Sequence, residues 1–141
     1  MLITRRVEFS ASHVCRQPEL SAGENARIYG PSANPHGHGH NYVVEVTVEG
    51  AADPITGMVL DLKELKEILE GEVVGPYDHR FLNYEVAPFD RVVPTAENVA
   101  RDIWERLEPR LSIAGRRLHA VRVQETPDYY VDYFGEAPCS A

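Results

Sequence analysis

The stretch that decides the fold is residues 36–49, HGHGHNYVVEVTVE. From Tyr42 to Val48 every second residue is an aromatic or a valine, and the positions between them are mostly polar. Because successive side chains of a strand point to opposite faces, this alternation predicts a half-buried β-strand. His38 and His40 share the parity of the apolar positions, so the strand places two imidazoles at the end of its buried face.

A second alternating stretch precedes it at residues 3–13, where most odd positions are apolar and His13 ends the inward face. Between the two strands, residues 14–37 contain several prolines and glycines and show no sustained period. That composition predicts a long loop, and a loop of this length in a compact domain is usually functional.

Two helices are predicted further along the chain. The first begins at Asp61 as its N-cap and ends near Gly71, with leucines and an isoleucine at three-and-four spacing. The second has Thr95 as its N-cap and stops at about Pro109. Residues 72–94, which lie between the two helices, are predicted to be irregular.

Residues 117–125 and 129–134 alternate again and predict two closing strands joined by a tight turn. The predicted order of elements is therefore ββααββ. That order is typical of an α+β domain, and a chain of this length is expected to form one domain over residues 1–141.

Composition narrows the class of protein further. The 141 residues carry a formal charge of -8 and 43% are hydrophobic, which predicts a soluble domain with an ordinary core. The negative net charge argues against binding to a nucleic-acid backbone, which is itself negatively charged. No apolar run approaches the roughly 20 residues of a spanning helix, and the amino terminus lacks the apolar stretch of a secretory signal. We therefore expect a cytoplasmic protein that binds neither nucleic acid nor membranes.

Three histidines are candidate metal ligands. His38 and His40 leave one face of their strand, and His13 ends the corresponding face of a neighbouring strand. Three imidazoles without a cysteine are typical of a catalytic zinc site, whose fourth position stays open. Histidines at the end of a strand can also be simply solvated or hydrogen-bonded, and this alternative stays open. His36 has an uncertain direction and is taken as a spectator.

Two cysteines, Cys15 and Cys139, lie far apart without a Cys-x-x-Cys pairing. This spacing predicts neither a thiolate zinc site nor a disulfide framework.

Three further residues carry candidate chemistry. Asp78 is followed by His79, a pairing that can orient an imidazole for acid–base catalysis, although a surface pair or a capped turn is the alternative. Glu125 ends the third predicted strand on its apolar face. A carboxylate there needs a donor, which is either the guanidine-like edge of a heterocycle or an arginine of the chain.

Motifs spread along essentially the whole chain resemble the 6-pyruvoyl-tetrahydropterin synthase family. In order they are residues 9–13 (FSASH), 20–25 (LSAGEN), 34–42 (NPHGHGHNY), 53–59 (DPITGMV), 78–83 (DHRFLN), 94–100 (PTAENVA), 125–126 (ET) and 133–136 (YFGE). Several motifs at matching intervals make the resemblance far more specific than a single His-x-His pair.

The resemblance implies a fold, an assembly and a reaction. The fold is the T-fold (tunnelling fold), an antiparallel four-stranded sheet with two helices on one face. Its sheets join into a barrel on oligomerisation, and trimers stack into a hexamer with sites at subunit interfaces. The cofactor is Zn²⁺, and the small-molecule substrate is the pterin 7,8-dihydroneopterin triphosphate.

The resemblance also implies roles for individual residues. The implied zinc ligands are His13, His38 and His40. The implied proton-transfer pair is Asp78 with His79. Glu125 matches the residue that anchors the pterin ring, and the segment that helps line the pterin pocket is Thr95, Ala96 and Glu97.

One position departs from the family pattern. The family's catalytic cysteine lies six residues before the first histidine of the metal pair, and this chain has Ser32 there. A thiol with a pKa of about 8.5 is partly ionised near neutral pH, whereas a hydroxyl needs an adjacent base to act. Ser32 is the candidate catalytic residue at this position. The alternatives are that it only turns a proline-rich loop, or that Cys15, in phase with His13, supplies the thiol.

Three functions follow from these residues. The first is a zinc-dependent lyase of the 6-pyruvoyl-tetrahydropterin synthase type. The second is side-chain cleavage of the 6-carboxytetrahydropterin synthase type. These synthases belong to the queuosine pathway, and they usually have a shorter loop before the histidines. The third is a zinc- and pterin-binding protein without turnover. A related variant of the family, which releases 6-hydroxymethyl-dihydropterin, is associated with a glutamate near the position of the missing cysteine. Residues 31–33 contain no glutamate, so the resemblance disfavours this activity.

An anionic substrate on a chain of charge -8 needs a local positive surface. The candidates for it are Arg5, Arg16, Arg27 and Arg80.

Overall fold

A computed structural model of the chain describes residues 1–136. Its strands are β1 (Leu2–His13), β2 (His38–Glu49), β3 (Arg80–Phe81), β4 (Arg117–Thr126) and β5 (Tyr129–Tyr133). They form one mixed sheet in the order β3-β1-β2-β4-β5, in which β3 runs parallel to β1 and the other pairs are antiparallel. The four predicted strands are confirmed, and β3 is a two-residue addition at one edge.

The helices are α1 (Ala22–Tyr29), α2 (Leu62–Leu69), α3 (Gly75–Tyr77), α4 (Leu82–Glu85) and α5 (Ala96–Leu111). Both predicted N-caps are confirmed, because Asp61 accepts a hydrogen bond from the backbone of Lys63 and Thr95 accepts one from Asn98. Helix α2 gives way at residue 70 to a π-helical turn, and α5 continues two residues beyond the predicted stop at Pro109.

The prediction of a loop over residues 14–37 is wrong, since it contains α1 and a 3₁₀ turn, Gly30–Ala33. The cause is a capping box, in which Ser21 Oγ accepts from the Glu24 backbone at 3.2 Å and Glu24 Oε2 accepts from the Ser21 backbone at 2.8 Å. Apolar periodicity does not reveal this helix, because Asn25 is its one buried residue.

Residues 72–94 were predicted to be irregular, and this prediction is wrong in detail. They contain α3, β3 and α4, each of four residues or fewer. Elements of this length leave no periodic pattern in the sequence, because periodicity needs several turns or several alternations.

The core lies between one face of the sheet and helices α2 and α5. The inward residues of β2 from Tyr42 to Val48 are fully buried, as the alternation predicts. They pack in one cluster with Leu65 of α2 and with Ile103 and Leu107 of α5. The opposite face is polar and includes the hydrogen-bonded pair Thr4 and Thr47.

The sheet is open in the single chain, with β3 and β5 at its two edges. Unpaired strand edges are surfaces to which another chain can add, so the predicted barrel requires further copies.

Among the described residues no helix has the length and apolar character needed to span a membrane. The cytoplasmic location stays a prediction, and Cys139 lies outside the described residues.

Candidate metal centre and substrate cavity

The register of two paired strands brings the three predicted histidines together. His13 on β1 lies opposite His38 on β2, and Ala11 lies opposite His40. The ring centroids of the three histidines are 4.5, 4.9 and 5.1 Å apart. One ring nitrogen from each lies within 4.8 Å of the others. The exposed His36 is not part of the cluster, in agreement with its treatment as a spectator.

The glycines between the histidines lie where a side chain would be crowded, by the Phe81 ring at Gly37 and by the β1 backbone at Gly39. Gly37 has a φ of +74°, and a Cβ there would lie 2.7 Å from Cζ of Phe81. At Gly39 a Cβ would approach the carbonyl oxygen of Ala11 to 3.1 Å. The chain therefore enters β2 along a path that side chains would block, and this path sets the position of His38.

Hydrogen bonding fixes which nitrogen of His13 can bind a metal. Its Nδ1 lies 2.6 Å from the carbonyl oxygen of Pro94, and a carbonyl only accepts, so Nδ1 carries the proton. The Nε2 lone pair then faces His38 Nε2 at 3.0 Å. His40 Nε2 is buried and makes no hydrogen bond within the described residues. Unprotonated nitrogens that face one another need a cation or a proton between them.

The triad fits a divalent ion such as zinc. Zinc–nitrogen bonds of about 2.0–2.1 Å place the nitrogens of a tetrahedral site roughly 3.3 Å apart. This value lies between the 3.0 Å that separates Nε2 of His13 from Nε2 of His38 and the 4.8 Å within which all three ligand nitrogens lie. Burial lowers the pKa of His13 to about 4, against the pull of the Pro94 carbonyl, and burial also lowers the pKa of His40. Both are therefore neutral at pH 7, which is the form that binds metals.

A buried asparagine holds the chain beside the triad. Asn83 donates to the carbonyl of Val14 at 3.0 Å and accepts from the Val14 backbone N–H at 2.8 Å. Val14 follows His13 directly, so these two bonds fix the end of β1. Asn83 belongs to the DHRFLN motif, which the sequence identifies without indicating this structural role.

The triad opens into a cavity of about 400 Å³. The predicted site residues that line it beside the histidines are Ser32, Thr95, Ala96, Glu97 and Glu125. Three further residues line it that no motif indicated for substrate binding: Cys15, Thr126 and Tyr129. The sequence indicates Cys15 only as a replacement thiol. Thr126 belongs to the ET motif, which assigns it no role, and Tyr129 lies in none of the motifs.

Two carboxylates in this cavity have different affinities for protons. Glu125 Oε1 lies 3.2 Å from His13 Nε2, and burial together with the charge of Glu97 raises the pKa of Glu125. Burial alone would raise the pKa of Glu97 too. Hydrogen bonds from its own backbone N–H, from the Tyr129 hydroxyl and from Thr95 outweigh burial and lower it. Such a pair suits a ligand edge with several N–H donors.

Ser32 and Cys15 lie on neighbouring backbone segments. The Cys15 N–H donates to the Ser32 carbonyl at 2.9 Å, and both residues line the cavity. Burial, together with the charges of Glu125 and Glu97, raises the pKa of the Cys15 thiol to about 11. This thiol is therefore neutral at pH 7.

The Asp78–His79 pair lies elsewhere, at the turn between α3 and β3. Asp78 Oδ2 is 2.9 Å from His79 Nδ1. The backbone of Ser10 on β1 donates to Asp78 Oδ1 at 2.9 Å and accepts from His79 N at 2.7 Å. The Ser10 N–H and then His79 lower the pKa of Asp78. The His79 side chain is 83% exposed and lines a second depression, which shares His40 with the triad cavity. Neither Asp78 nor His79 lines the triad cavity of its own chain.

The four arginines proposed for a positive surface are dispersed. Within residues 1–136, the lining of the triad cavity includes none of them. Arg16 lines an adjoining groove with Pro31 and Ala33, the neighbours of Ser32. Arg5 instead donates to the backbone of Leu62 at 3.4 Å.

Comparison with known proteins shows the family to which the chain belongs. The family model described as 6-pyruvoyl tetrahydropterin synthase matches residues 2–136. A human 6-pyruvoyl tetrahydrobiopterin synthase is 46% identical over 134 residues, which cover 95% of this chain and 91% of the human one. The Drosophila melanogaster protein of the same name is 42% identical over 136 residues, covering 96% and 80% of the two chains.

A solved structure of 6-pyruvoyl tetrahydropterin synthase from Caenorhabditis elegans superposes with a TM-score of 0.91. It is 38% identical, and the match covers 96% of each chain. The predicted α+β class and T-fold are thereby confirmed, with a five-stranded mixed sheet rather than the four antiparallel strands expected. The chain belongs to the 6-pyruvoyl tetrahydropterin synthase family.

Proposed function

We propose that this protein is a zinc-dependent lyase that converts 7,8-dihydroneopterin triphosphate by eliminating triphosphate, with internal redox of the side chain. The observation that carries the proposal is one cavity shared by the histidine triad and two carboxylates, Glu97 and Glu125. The names of its relatives support a tetrahydropterin product.

The chain's own residues bind and orient the substrate. Glu125 and Glu97 accept hydrogen bonds from the guanidine-like edge of the pterin ring, and the residues at the start of α5, Thr95 and Ala96, line its pocket. His13, His38 and His40 hold Zn²⁺, and the Pro94 carbonyl keeps Nδ1 of His13 protonated so that Nε2 is the ligand. Bound zinc supplies a Lewis acid that polarises the hydroxyls of the substrate side chain.

Proton transfer falls to Asp78 and His79. The lowered pKa of Asp78 keeps its carboxylate charged, and the carboxylate holds Nδ1–H of His79 so that Nε2 is free to take a proton. Elimination requires a proton to leave one side-chain carbon while triphosphate leaves its neighbour. Because the pair is exposed and outside its own triad cavity, we place it in the site of an adjacent subunit of a homo-oligomer, a hexamer built as a dimer of trimers.

Subunit sharing is tested by mixing two inactive variants. His38→Ala removes a zinc ligand and His79→Ala removes the proton acceptor. If sites form between chains, co-assembled mixtures regain activity that neither variant has alone. Mixtures that stay inactive after verified subunit exchange would show that each site is complete within one chain.

Ser32 in the position of the family's cysteine lowers the expected rate. A serine hydroxyl is a far weaker acid than a thiol, so Ser32→Cys is expected to raise turnover. Cys15→Ala is the matched variant on the neighbouring segment. A loss of turnover in Cys15→Ala would show that this thiol has taken the catalytic role instead.

The function itself is tested by incubating the zinc-replete protein with 7,8-dihydroneopterin triphosphate and identifying products by mass. Release of triphosphate with all side-chain carbons retained supports the proposal. A shortened side chain would instead indicate an activity of the 6-carboxytetrahydropterin synthase type. Binding without product, also in Ser32→Cys, would indicate a zinc- and pterin-binding protein, an alternative that the missing thiol favours.

A further inference from the structure

Tyr129 is the aromatic side chain of the triad cavity to which no motif assigns a role. It begins β5, immediately after the turn that follows Glu125 and Thr126. Tyr129 lines the cavity, and its hydroxyl donates to Glu97 Oε1 at 2.9 Å. It therefore connects the β4–β5 hairpin to the first turn of α5.

We propose that Tyr129 is a substrate-positioning residue, which holds the Glu97 carboxylate beside Glu125 and presents its ring to a flat heteroaromatic ligand. The inference rests on the proposed function and deepens it by naming a further residue that selects the pterin ring.

The first step of the argument concerns Glu97. Glu97 is an exposed residue at the start of α5, and a glutamate with its long side chain has many rotamers in solution. The bond from Tyr129 selects the one in which the carboxylate lies on the cavity wall. A ligand that donates to both Glu97 and Glu125 then finds the two acceptors already in place, and less ordering is needed on binding.

The second step concerns the ring of Tyr129. A tyrosine has few rotatable bonds and a broad apolar face, so it provides contact area at a low entropic cost. The residue is 42% exposed in the single chain, although its hydroxyl is bonded. An aromatic face that is fixed at one end and open at the other suits stacking against a bicyclic ring.

The neighbouring Tyr130 offers a matched control. It follows Tyr129 in β5, so its side chain points to the opposite face of the sheet. There the Arg122 guanidinium lies 4.0 Å from the centroid of its ring. The two tyrosines are thus chemically identical neighbours in one strand, but Tyr129 lines the cavity and Tyr130 does not.

The test compares wild type, Tyr129→Phe and Tyr130→Phe, each zinc-replete, in fluorescence titrations with 7,8-dihydroneopterin, which lacks the triphosphate. Loss of a hydrogen bond to a charged group is expected to weaken binding by about tenfold or more in Tyr129→Phe. Tyr130→Phe is expected to stay within about twofold, as surface changes usually do. Equal zinc content and equal melting temperatures exclude a general loss of structure.

A double-mutant cycle with Glu97→Gln shows whether Tyr129 acts through Glu97. Tyr129→Phe is expected to cost less in the Glu97→Gln background than in wild type, because the bond it breaks is already weakened. Fully additive losses, or wild-type affinity in Tyr129→Phe, would overturn the inference while leaving the proposed function intact. Failure of wild type itself to bind the pterin would overturn the proposed function, and the role of Tyr129 with it.

Discussion

The two regions that carry candidate chemistry differ in how the chain holds them. In the triad cavity His13 is fully buried, and its ring is bonded to Pro94. The Asp78–His79 turn lies at the sheet edge, and its imidazole is 83% exposed. His79 also has a φ of +58°, a conformation that non-glycine residues rarely adopt, and the backbone of Ser10 holds it there.

The difference teaches that the two halves of the proposed reaction depend on different levels of structure. The proposed metal site requires only the pairing of β1 with β2, which one chain provides. The proposed proton transfer requires the His79 imidazole to reach a substrate in the triad cavity, and within one chain this imidazole does not line that cavity. Variants that remove one half and leave the other intact are therefore the sharpest tests of this comparison.

The largest effect is expected in the triad. Loss of a residue that only hydrogen-bonds to a metal ligand lowers metal affinity by about 10–100-fold. His38→Ala removes a ligand itself, so it should lower zinc affinity by more than about 100-fold and abolish turnover. His36→Ala, two residues away and exposed, should keep wild-type zinc content. Elemental analysis of the dialysed proteins measures both. Full zinc in His38→Ala would contradict the assignment of the triad.

Asp78→Asn should separate the two regions. The amide still accepts from the Ser10 backbone, so the turn keeps its place, but it no longer carries the charge that orients His79. We expect kcat to fall by about 10²–10⁴-fold, the range of a general acid–base contribution, with zinc content unchanged. Asp90→Asn, at another exposed acid, is the control. Loss of zinc in Asp78→Asn would show that the regions are coupled.

Below the exposed turn lies a buried network that should matter for stability. The hydroxyl of the fully buried Tyr77 donates to Asp102, which also accepts from Arg106 at 2.7 Å. Tyr77→Phe should lower the free energy of unfolding by about 1.5–3 kcal/mol, the range for hydrogen bonds to charged groups. Tyr84→Phe, at an exposed ring, should change it by less than about 0.5 kcal/mol. Urea denaturation measures both, and equal changes would contradict the role of the network.

The smallest effect is expected on the hairpin that carries Glu125 and Tyr129. Arg122 makes two hydrogen bonds to Asp132 across β4 and β5, at 2.6 and 2.9 Å, and lowers the pKa of Asp132. At neutral pH the pair should contribute about 0.5–1 kcal/mol.

The pH dependence of this pair follows from the direction of the pKa shift. The contribution is complete above the ordinary aspartate pKa of about 3.9 and disappears as the pH falls through the lower pKa of the folded state. Asp132→Asn should therefore be less stable than wild type at pH 7 and equal to it at the acid end of the titration. A difference in unfolding free energy that does not change with pH would contradict this explanation.

Much of the fold was predictable because it is encoded in local periods and caps. Alternation predicts the four long strands, and Asp61 and Thr95 mark the starts of α2 and α5. Helix α1 is not predicted from apolar periodicity, because its one buried residue is the polar Asn25. The capping box formed by Ser21 and Glu24 is the sequence signal that indicates this helix. Strand β3 escaped because two residues carry no period.

By itself, then, the sequence determined which faces of the strands are buried, where the long helices begin, and that His13, His38 and His40 point the same way. These properties depend on parity and spacing along the chain, which are written in residue order. The family resemblance already implied that Glu97 and Glu125 belong to the site of the triad. Only the tertiary structure decided that Tyr129 shares their cavity, and that within one chain Asp78 and His79 do not. Such proximities depend on how strands and helices distant in sequence pack together, and residue order carries no local sign of that packing.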